Sequence, residues 1–442
     1  MSEEAARRSV HGVTAERSVL AVIGIGAALV IMQTILGAPW PQDIVPFVAH
    51  LSGMLAGYGA AVMILLVSRL PFLERRVGAD RLTRWHAHGG RTLLLLVCVH
   101  AVFAVYAVAE AIGASGAEAV GIVLGLPDIV TATVGTVLMM AAGMLSARAA
   151  RKRVRYETWH GIHLAMYVGV GLGFAHQLAG PDIAGRPALQ IAWTALYTVT
   201  FALLMRYRIL APLLTALQHD LRVHRVLKQG PRVTTIIVTG RDLDELGADP
   251  GQFFRWRFLT QETWASAHPF SLSAPPSRHF LRLTVKEVGN GTRRLAGLTE
   301  GTRVLAEGPY GAMTAARRRG HGVLLVAGGI GITPMRALLE TIPVEAAPLT
   351  LVYRASSPED VVFREELDAI ASARGAEVHY LVGSSRERPN ELTLERLREL
   401  VPGLDTRDVF ICASPRLGRA IRALLREAGV PQEQVHQEEF AF

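Results

Sequence analysis

Cysteine is nearly absent from this 442-residue chain: there are two, Cys98 and Cys412, far apart in sequence. No CxxC, CxxCH or four-cysteine set occurs, which argues against iron–sulfur clusters, zinc sites and covalently attached haem. Charge is thin as well. Charged residues make up 19% of the chain against 50% hydrophobic, and the mean hydropathy is positive, which is unusual for a soluble protein. The formal net charge of +8 would suit nucleic acid, but much of the arginine borders apolar segments. Membrane topology accounts for it, and no nucleic-acid partner is expected.

The apolar residues are concentrated between positions 18 and 209. Six runs there are long enough to cross about 30 Å of hydrocarbon: 18–36, 45–69, 87–110, 128–147, 160–180 and 189–209. Arg69, Arg75, Arg76, Arg81 and Arg84 lie between the second and third runs, and Arg148, Arg151, Lys152, Arg153 and Arg155 between the fourth and fifth. The opposite loops hold only Arg186. This asymmetry predicts a multi-pass protein of the plasma (inner) membrane with both basic loops and both termini in the cytoplasm. The first run follows a polar leader, residues 1–17, carrying Arg7, Arg8 and Arg17. It is longer than a signal-peptide core, and Gly37-Ala38-Pro39-Trp40 is a poor cleavage site, so retention is expected.

Four histidines stand out in this half: His86 and His100 on the third run, His163 and His176 on the fifth. Ionisable side chains at bilayer depth are expensive and usually functional, and neutral imidazole is an axial ligand for haem iron. Fourteen helical residues rise about 21 Å and end about 40° from where they began. His86 and His100 therefore share a face, at a separation suited to two stacked haems. Thirteen residues rotate by about 220°, so an unbroken helix does not align His163 with His176. Gly169, Gly171 and Gly173 lie between them and offer a place for distortion or close haem approach. The competing reading is of buried histidines bonded to neighbouring helices. His88 and His160 are rival ligands at the wet ends of their runs. Arg91 either neutralises a haem propionate or snorkels to the surface. His50 is interfacial or lines an acceptor site, and Gly53-xxx-Gly57 reads as helix packing.

From about residue 218 the composition becomes ordinary and globular. Residues 218–315 alternate as strands do, as in Val233-Thr234-Thr235-Ile236-Ile237-Val238, with turns such as Pro250-Gly251 between them, and predict a small antiparallel barrel. Residues 318–442 switch to alternating strands and helices. There Val323-Leu324-Leu325-Val326-Ala327 runs into Gly328-Gly329-Ile330-Gly331-Ile332-Thr333-Pro334-Met335. A buried strand, a glycine-rich turn and a helix start can cradle a pyrophosphate. Ser384, Ser385, Arg386 and Arg388 follow a predicted strand. An arginine there can pair with a 2′-phosphate, favouring NADPH over NADH, or serve as a solvated loop charge.

Several motifs together resemble a known family. Arg84-Trp85-His86, Gly90 and His100 look like the third helix of the ferric reductase and NADPH oxidase transmembrane family. Tyr156-Glu157-Thr158-Trp159-His160-Gly161-Ile162-His163 resembles the start of its fifth. The resemblance implies an inner haem b on His86 and His163 and an outer one on His100 and His176. The C-terminal half is similar to the ferredoxin–NADP reductase superfamily. By that likeness His268-Pro269-Phe270-Ser271 contacts FAD, Gly289-Asn290-Gly291-Thr292 is the flavin-pyrophosphate turn, and Glu307-Gly308-Pro309-Tyr310-Gly311 links the domains. It also implies that the terminal aromatic, Phe442, covers the flavin until nicotinamide displaces it, and that Cys412 lies near the nicotinamide. Where the family has Cys-Gly-Pro, this chain reads Cys412-Ala413-Ser414-Pro415.

The expected architecture is a six-helix transmembrane haem bundle over 18–210, an antiparallel β-barrel FAD domain over 218–315, and an α/β nucleotide-binding domain over 318–442. The expected activity passes electrons from cytoplasmic NAD(P)H through FAD and two haems to a small acceptor outside, oxygen or a ferric chelate. Two alternatives stand beside it. One is a membrane-anchored flavin reductase without haem. The other is a haem-bearing subunit that serves an outer redox protein.

Overall fold

The computed structural model describes residues 3–37, 43–147, 154, 156–264, 266–343, 347–384 and 391–439. The chain divides into two compact units, Val10–Leu210 and one that includes Ala211–Phe442.

The first unit is helical. It contains α1 (Glu3–Gly37), α2 (Ile44–Val67), α3 (Pro71–Val77), α4 (Ala79–Ile112), α5 (Gly116–Leu124), α6 (Ile129–Ser146), α7 (Tyr156–Leu172), α8 (Phe174–Ala179) and α9 (Pro187–Met205). Among the described residues, six helices are long and apolar enough to cross a membrane, matching the six apolar runs. Leu95, Val102, Val137, Val168, Ile191 and Val199 remain exposed, as lipid-facing positions must. Inward positions such as Met54, Ile64, Leu93, Met139, Val170 and Trp193 form the core.

Three features depart from the apolar runs. Helix α4 starts at Ala79 rather than residue 87, because exposed Arg81 and Arg84 can continue a helix beyond hydrocarbon. The fifth crossing is two helices, interrupted at Gly173. The sixth continues past residue 209 through a π-helical turn, Arg206–Leu210, into α10 (Ala211–His219). Small residues permit close crossings. A Cβ on Gly135 would lie 2.5 Å from the Gly169 carbonyl oxygen, and one on Gly169 would lie 2.8 Å from that of Gly135.

In the second unit β1 (Arg222–Gly230), β2 (Val233–Thr239), β3 (Phe253–Phe258), β4 (His268–Ser271), β5 (Leu281–Lys286) and β6 (Val304–Tyr310) form two antiparallel sheets. Their orders are β1-β2-β5 and β4-β3-β6. Both sheets feed a core of Phe254, Trp256, Phe258, Leu281 and Leu283. The strands of the expected barrel are present as these two sheets, joined at one seam by the bridge Arg222–Arg303 and the Val304 N–H to Leu221 carbonyl bond at 2.8 Å, and at the other by the bridge Leu272–Leu283 and the Ser273 N–H to Arg282 carbonyl bond at 2.7 Å. Strand β4 is four residues long and includes Pro269, which has no N–H to donate, so it forms an edge.

The remainder alternates β7 (Gly322–Gly328), α12 (Ile332–Thr341), β8 (Leu349–Ala355), α13 (Arg364–Arg374), β9 (Glu377–Val382), α14 (Leu394–Leu400), β10 (Arg407–Ala413), α15 (Pro415–Glu427) and β11 (Val435–Glu439). The short helix α11 (Asn290–Arg294) precedes this region. The sheet is parallel, in the order β11-β10-β7-β8-β9. Strands β7 and β10 are buried along almost their whole length, as the inner strands of a parallel sheet are, and β10 carries the buried Arg407 and Asp408 at its start. The chain moves outward from β7 to β9 and then returns to β10 on the other side. That reversal opens a crevice at the strand ends between β7 and β10, where ligands of doubly wound sheets bind.

Candidate functional site

Helices α4, α7 and α8 bring the four histidines together in the predicted pairs. The ring centroids of His86 and His163 are 6.0 Å apart, with planes at 79°. Those of His100 and His176 are also 6.0 Å apart, at 42°. The interruption at Gly173 falls between His163 and His176, so the two histidines lie on separate helical segments and the rotation of one unbroken helix does not apply. Gly171 faces open space, and Gly169 is used in helix packing.

The outward nitrogens are held by neighbouring groups. Nδ1 of His86 donates to the Met63 carbonyl at 3.1 Å, and Nδ1 of His100 donates to the Ala49 carbonyl at 2.8 Å. A carbonyl can only accept, so each Nδ1 carries a proton, and in the neutral ring Nε2 is then the nitrogen with the lone pair. Met63 and Ala49 are separated along α2 by the same fourteen residues that separate the two histidines on α4. His163 Nδ1 lies 3.3 Å from Ser146 Oγ, and its ring stacks on Trp159 at 5.2 Å and 21°. The carbonyl partners leave no mark in the sequence. The Trp159–His163 pair does, through its i, i+4 spacing.

The remaining sequence candidates separate clearly. His88 is exposed and bonded to the Arg84 carbonyl. His160 sits beside Trp159, with ring centroids 6.2 Å apart. Arg91 is exposed and donates to the Ala87 carbonyl. His50 pairs with Asp182 at 2.6 Å, a partner sequence reading missed. Gly53 and Gly57 do more than pack helices. A Cβ on Gly53 would stand 2.6 Å from His100 Nδ1, and one on Gly57 would stand 2.6 Å from Gln177 Oε1.

In the second unit the flavin-motif residues converge. His268 and Phe270 alternate on β4 and stack at 5.7 Å and 15°. A Cβ on Gly291 would lie 3.1 Å from the His268 ring, so the turn at Gly289 and the end of β4 are neighbours. The Thr292 hydroxyl closes that turn, accepting from Val288 and Gly289 N–H groups at 2.9 and 3.2 Å. Pro269 is exposed, whereas Ser271 is 2% exposed with an Oγ that has no hydrogen-bond partner.

At the β7–β10 crevice, Gly329 adopts φ +56°, a left-handed conformation that favours glycine. A Cβ on Gly331 would stand 2.0 Å from the Cys412 carbonyl oxygen, and one on Gly328 would stand 2.9 Å from the Ala413 Cβ. Thr333 is buried and donates to the Ile330 carbonyl, and Pro334 is buried in the same helix start. Cys412 is fully buried, and burial pushes its thiol well above the ordinary range. The departure from Cys-Gly-Pro has a local explanation: Ser414 caps α15 by accepting from Leu417 N–H, with Pro415 in its first turn. Phe442 and Arg386 lie outside the described residues.

Ion pairs tie the two halves of this unit. Arg282 of β5 reaches Glu366 of α13 at 3.0 Å, which Arg336 of α12 meets at 2.9 Å. Lys286 pairs with Asp360 at 2.7 Å. Burial would raise the Glu366 carboxyl, but the two arginines hold it below its ordinary value.

A helical bundle with paired intramembrane histidines, followed by antiparallel sheets and a doubly wound nucleotide fold, defines a multi-pass membrane oxidoreductase. Residues 52–174 match the ferric reductase like transmembrane component, and residues 325–423 match the oxidoreductase NAD-binding domain. The chain is 33% identical over 189 residues to ferredoxin–NADP reductase B of Sorangium cellulosum, covering 39% of this chain and 77% of that one. It is 25% identical over 247 residues to NADH-cytochrome b5 reductase 1 of Pyricularia oryzae, covering 52% and 77%. Among solved structures, the FAD/NAD-binding domain of a Vibrio cholerae nitric oxide dioxygenase aligns at 22% identity and TM-score 0.42, over 50% of this chain and 98% of that one. The chain belongs to the family that joins a ferric reductase-like transmembrane component to a ferredoxin–NADP reductase-type module.

Proposed function

We propose that this protein carries electrons from cytoplasmic NAD(P)H across the membrane to an acceptor outside, oxygen giving superoxide or ferric iron. FAD, held by the His268–Ser271 and Gly289–Thr292 segments, would supply the conversion from hydride to single electrons, and two b-type haems held by His86 with His163 and His100 with His176 would supply a path through the bilayer. The observation that carries this reading is the pair of histidine pairs, each with its rings 6.0 Å apart. Two imidazoles bound to one metal at about 2 Å per nitrogen have ring centres roughly 6 Å apart, so the residues fit bis-histidine haem. Among the described residues no group of three or more metal-ligating side chains occurs. Two protein ligands per site suit a porphyrin that supplies the rest.

The chain's own contribution is placement. The Met63 and Ala49 carbonyls occupy Nδ1 of His86 and His100 and would leave Nε2 as the nitrogen available to iron. His268, Phe270, Ser271 and the Gly289–Thr292 turn would hold FAD, with the unpartnered Ser271 hydroxyl a ready donor. Gly328, Gly329 and Gly331 would receive the NAD(P)H pyrophosphate, and Arg386 and Phe442 retain the roles the family resemblance implies. Cys412, fully buried and uncharged, would act by shape near the nicotinamide rather than as a thiolate. The basic loops between the second and third and between the fourth and fifth crossings favour a cytoplasmic location for both termini.

An absorption spectrum of purified full-length protein, before and after NADPH, tests the whole scheme. A Soret band that shifts on reduction is expected, with two haems per chain. His100→Ala should remove one of them and leave FAD content unchanged. A preparation coloured by flavin alone would sink the reading and favour a membrane-anchored flavin reductase. Superoxide-dependent cytochrome c reduction, measured beside ferric-citrate reduction, separates the two acceptors.

A further inference from the structure

We infer that Gln177 is a positioning residue for the outer histidine pair, locking the broken end of the fifth crossing so that His176 faces His100. This rests on the haem reading above and deepens it. Helix α8 is six residues long and is cut from α7 at Gly173. So short a helix does not hold its own rotation, because its few internal bonds barely offset the order they impose. Something outside it must fix where His176 points.

Gln177 follows His176 and points elsewhere, since adjacent helical residues differ by about 100°. Its Oε1 accepts from the Trp193 indole N–H at 2.9 Å and lies 2.9 Å from the Tyr197 hydroxyl. Its Nε2 donates to the Gly173 carbonyl at 3.3 Å, across the break itself. Trp193 and Tyr197 sit one turn apart on α9 and are 8% and 3% exposed, so water does not replace a lost acceptor. The Tyr197 hydroxyl is also 2.9 Å from the Gly57 carbonyl on α2, and the Tyr197 ring packs on Phe174 at 4.9 Å. A Cβ on Gly57 would meet Gln177 Oε1 at 2.6 Å and Trp193 Cζ2 at 2.8 Å. One amide therefore joins α8 to α9 in a space that glycine on α2 leaves open.

The test uses full-length protein in detergent, with haem counted as pyridine haemochrome and low-spin haem resolved by electron paramagnetic resonance. Gln177→Leu should lose the outer haem or shift its resonance, while the inner signal and FAD content stay as in the wild type. Gln177→Glu keeps an oxygen for both donors and should recover the outer signal. Gln177→Leu combined with Trp193→Phe and Tyr197→Phe removes acceptor and donors together, and should be no worse than Gln177→Leu alone. An outer signal unchanged in Gln177→Leu, or equal loss of both haems, overturns the inference. A wild type without haem overturns the reading beneath it, whatever the variants do.

Discussion

Gly53 of α2 lies against the ring of His100, with a Cβ at that position 2.6 Å from Nδ1 and 2.8 Å from Cε1. The ring cannot swing away freely, because the same Nδ1 is bonded to the Ala49 carbonyl one turn earlier on α2. Gly53 is thus part of the outer pair, not only of a helix crossing.

Gly53→Ala should displace the His100 imidazole by several tenths of an ångström and break the 2.8 Å bond that fixes its tautomer. The expected result is loss of about 10-fold or more in outer-haem retention, with the inner haem intact. Pyridine haemochrome content of the purified variant checks it. Two haems per chain with an unshifted spectrum would refute the steric argument.

The Arg282–Glu366–Arg336 cluster predicts an acid limb in stability. Glu366 is held below its ordinary 4.5 by the arginines despite burial, and Asp360 below its ordinary 3.8 by the bond from Lys286. Carboxyls lowered in the folded state add stability above the unfolded value, and that stability is lost as pH falls through the folded one. The contribution is on the order of 1 kcal/mol or less, because both carboxylates are partly solvated. Flavin-fluorescence unfolding curves between about pH 5 and 3 should fall less steeply for Glu366→Gln than for wild type. Parallel curves would show that the pair adds nothing.

Cys412 should resist alkylation. Its thiol is fully buried and pushed upward in pKa, first by burial and then by Glu438. At neutral pH the reactive thiolate is scarce and reagents cannot reach it. Iodoacetamide followed by peptide mass spectrometry should leave Cys412 unmodified in native protein and label it fully in denaturant. Rapid native labelling would place the thiol on an accessible surface and contradict the packing at Gly331.

Much of the first unit was legible because its solvent is simple. Length and apolarity specify a crossing, and helical rotation specifies which residues share a face, so the six runs and the His86–His100 alignment could be read directly. Rotation also flagged its own failure between His163 and His176. It could not say that Gly173 would be the break, because Gly169 and Gly171 were equal candidates until packing assigned Gly169 to Gly135. In the second unit the strand-turn-helix at Gly328–Pro334 was readable from composition. Which strand edges meet was not, since the seams between β1 and β6 and between β4 and β5 join segments distant in sequence.

The chain's order of residues, by itself, determined that six segments enter lipid, that four imidazoles lie on two of them, and that a glycine-rich turn follows a buried strand. These follow from local rules: hydrocarbon thickness, helical pitch and backbone freedom. Only the tertiary structure decided which backbone carbonyls hold Nδ1 of His86 and His100, that Gln177 bridges α8 to α9, and that β10 returns beside β7 to form the crevice. Those relationships join residues far apart in sequence, such as Cys412 and Gly331, 81 positions apart, and no local periodicity encodes which distant surfaces will meet.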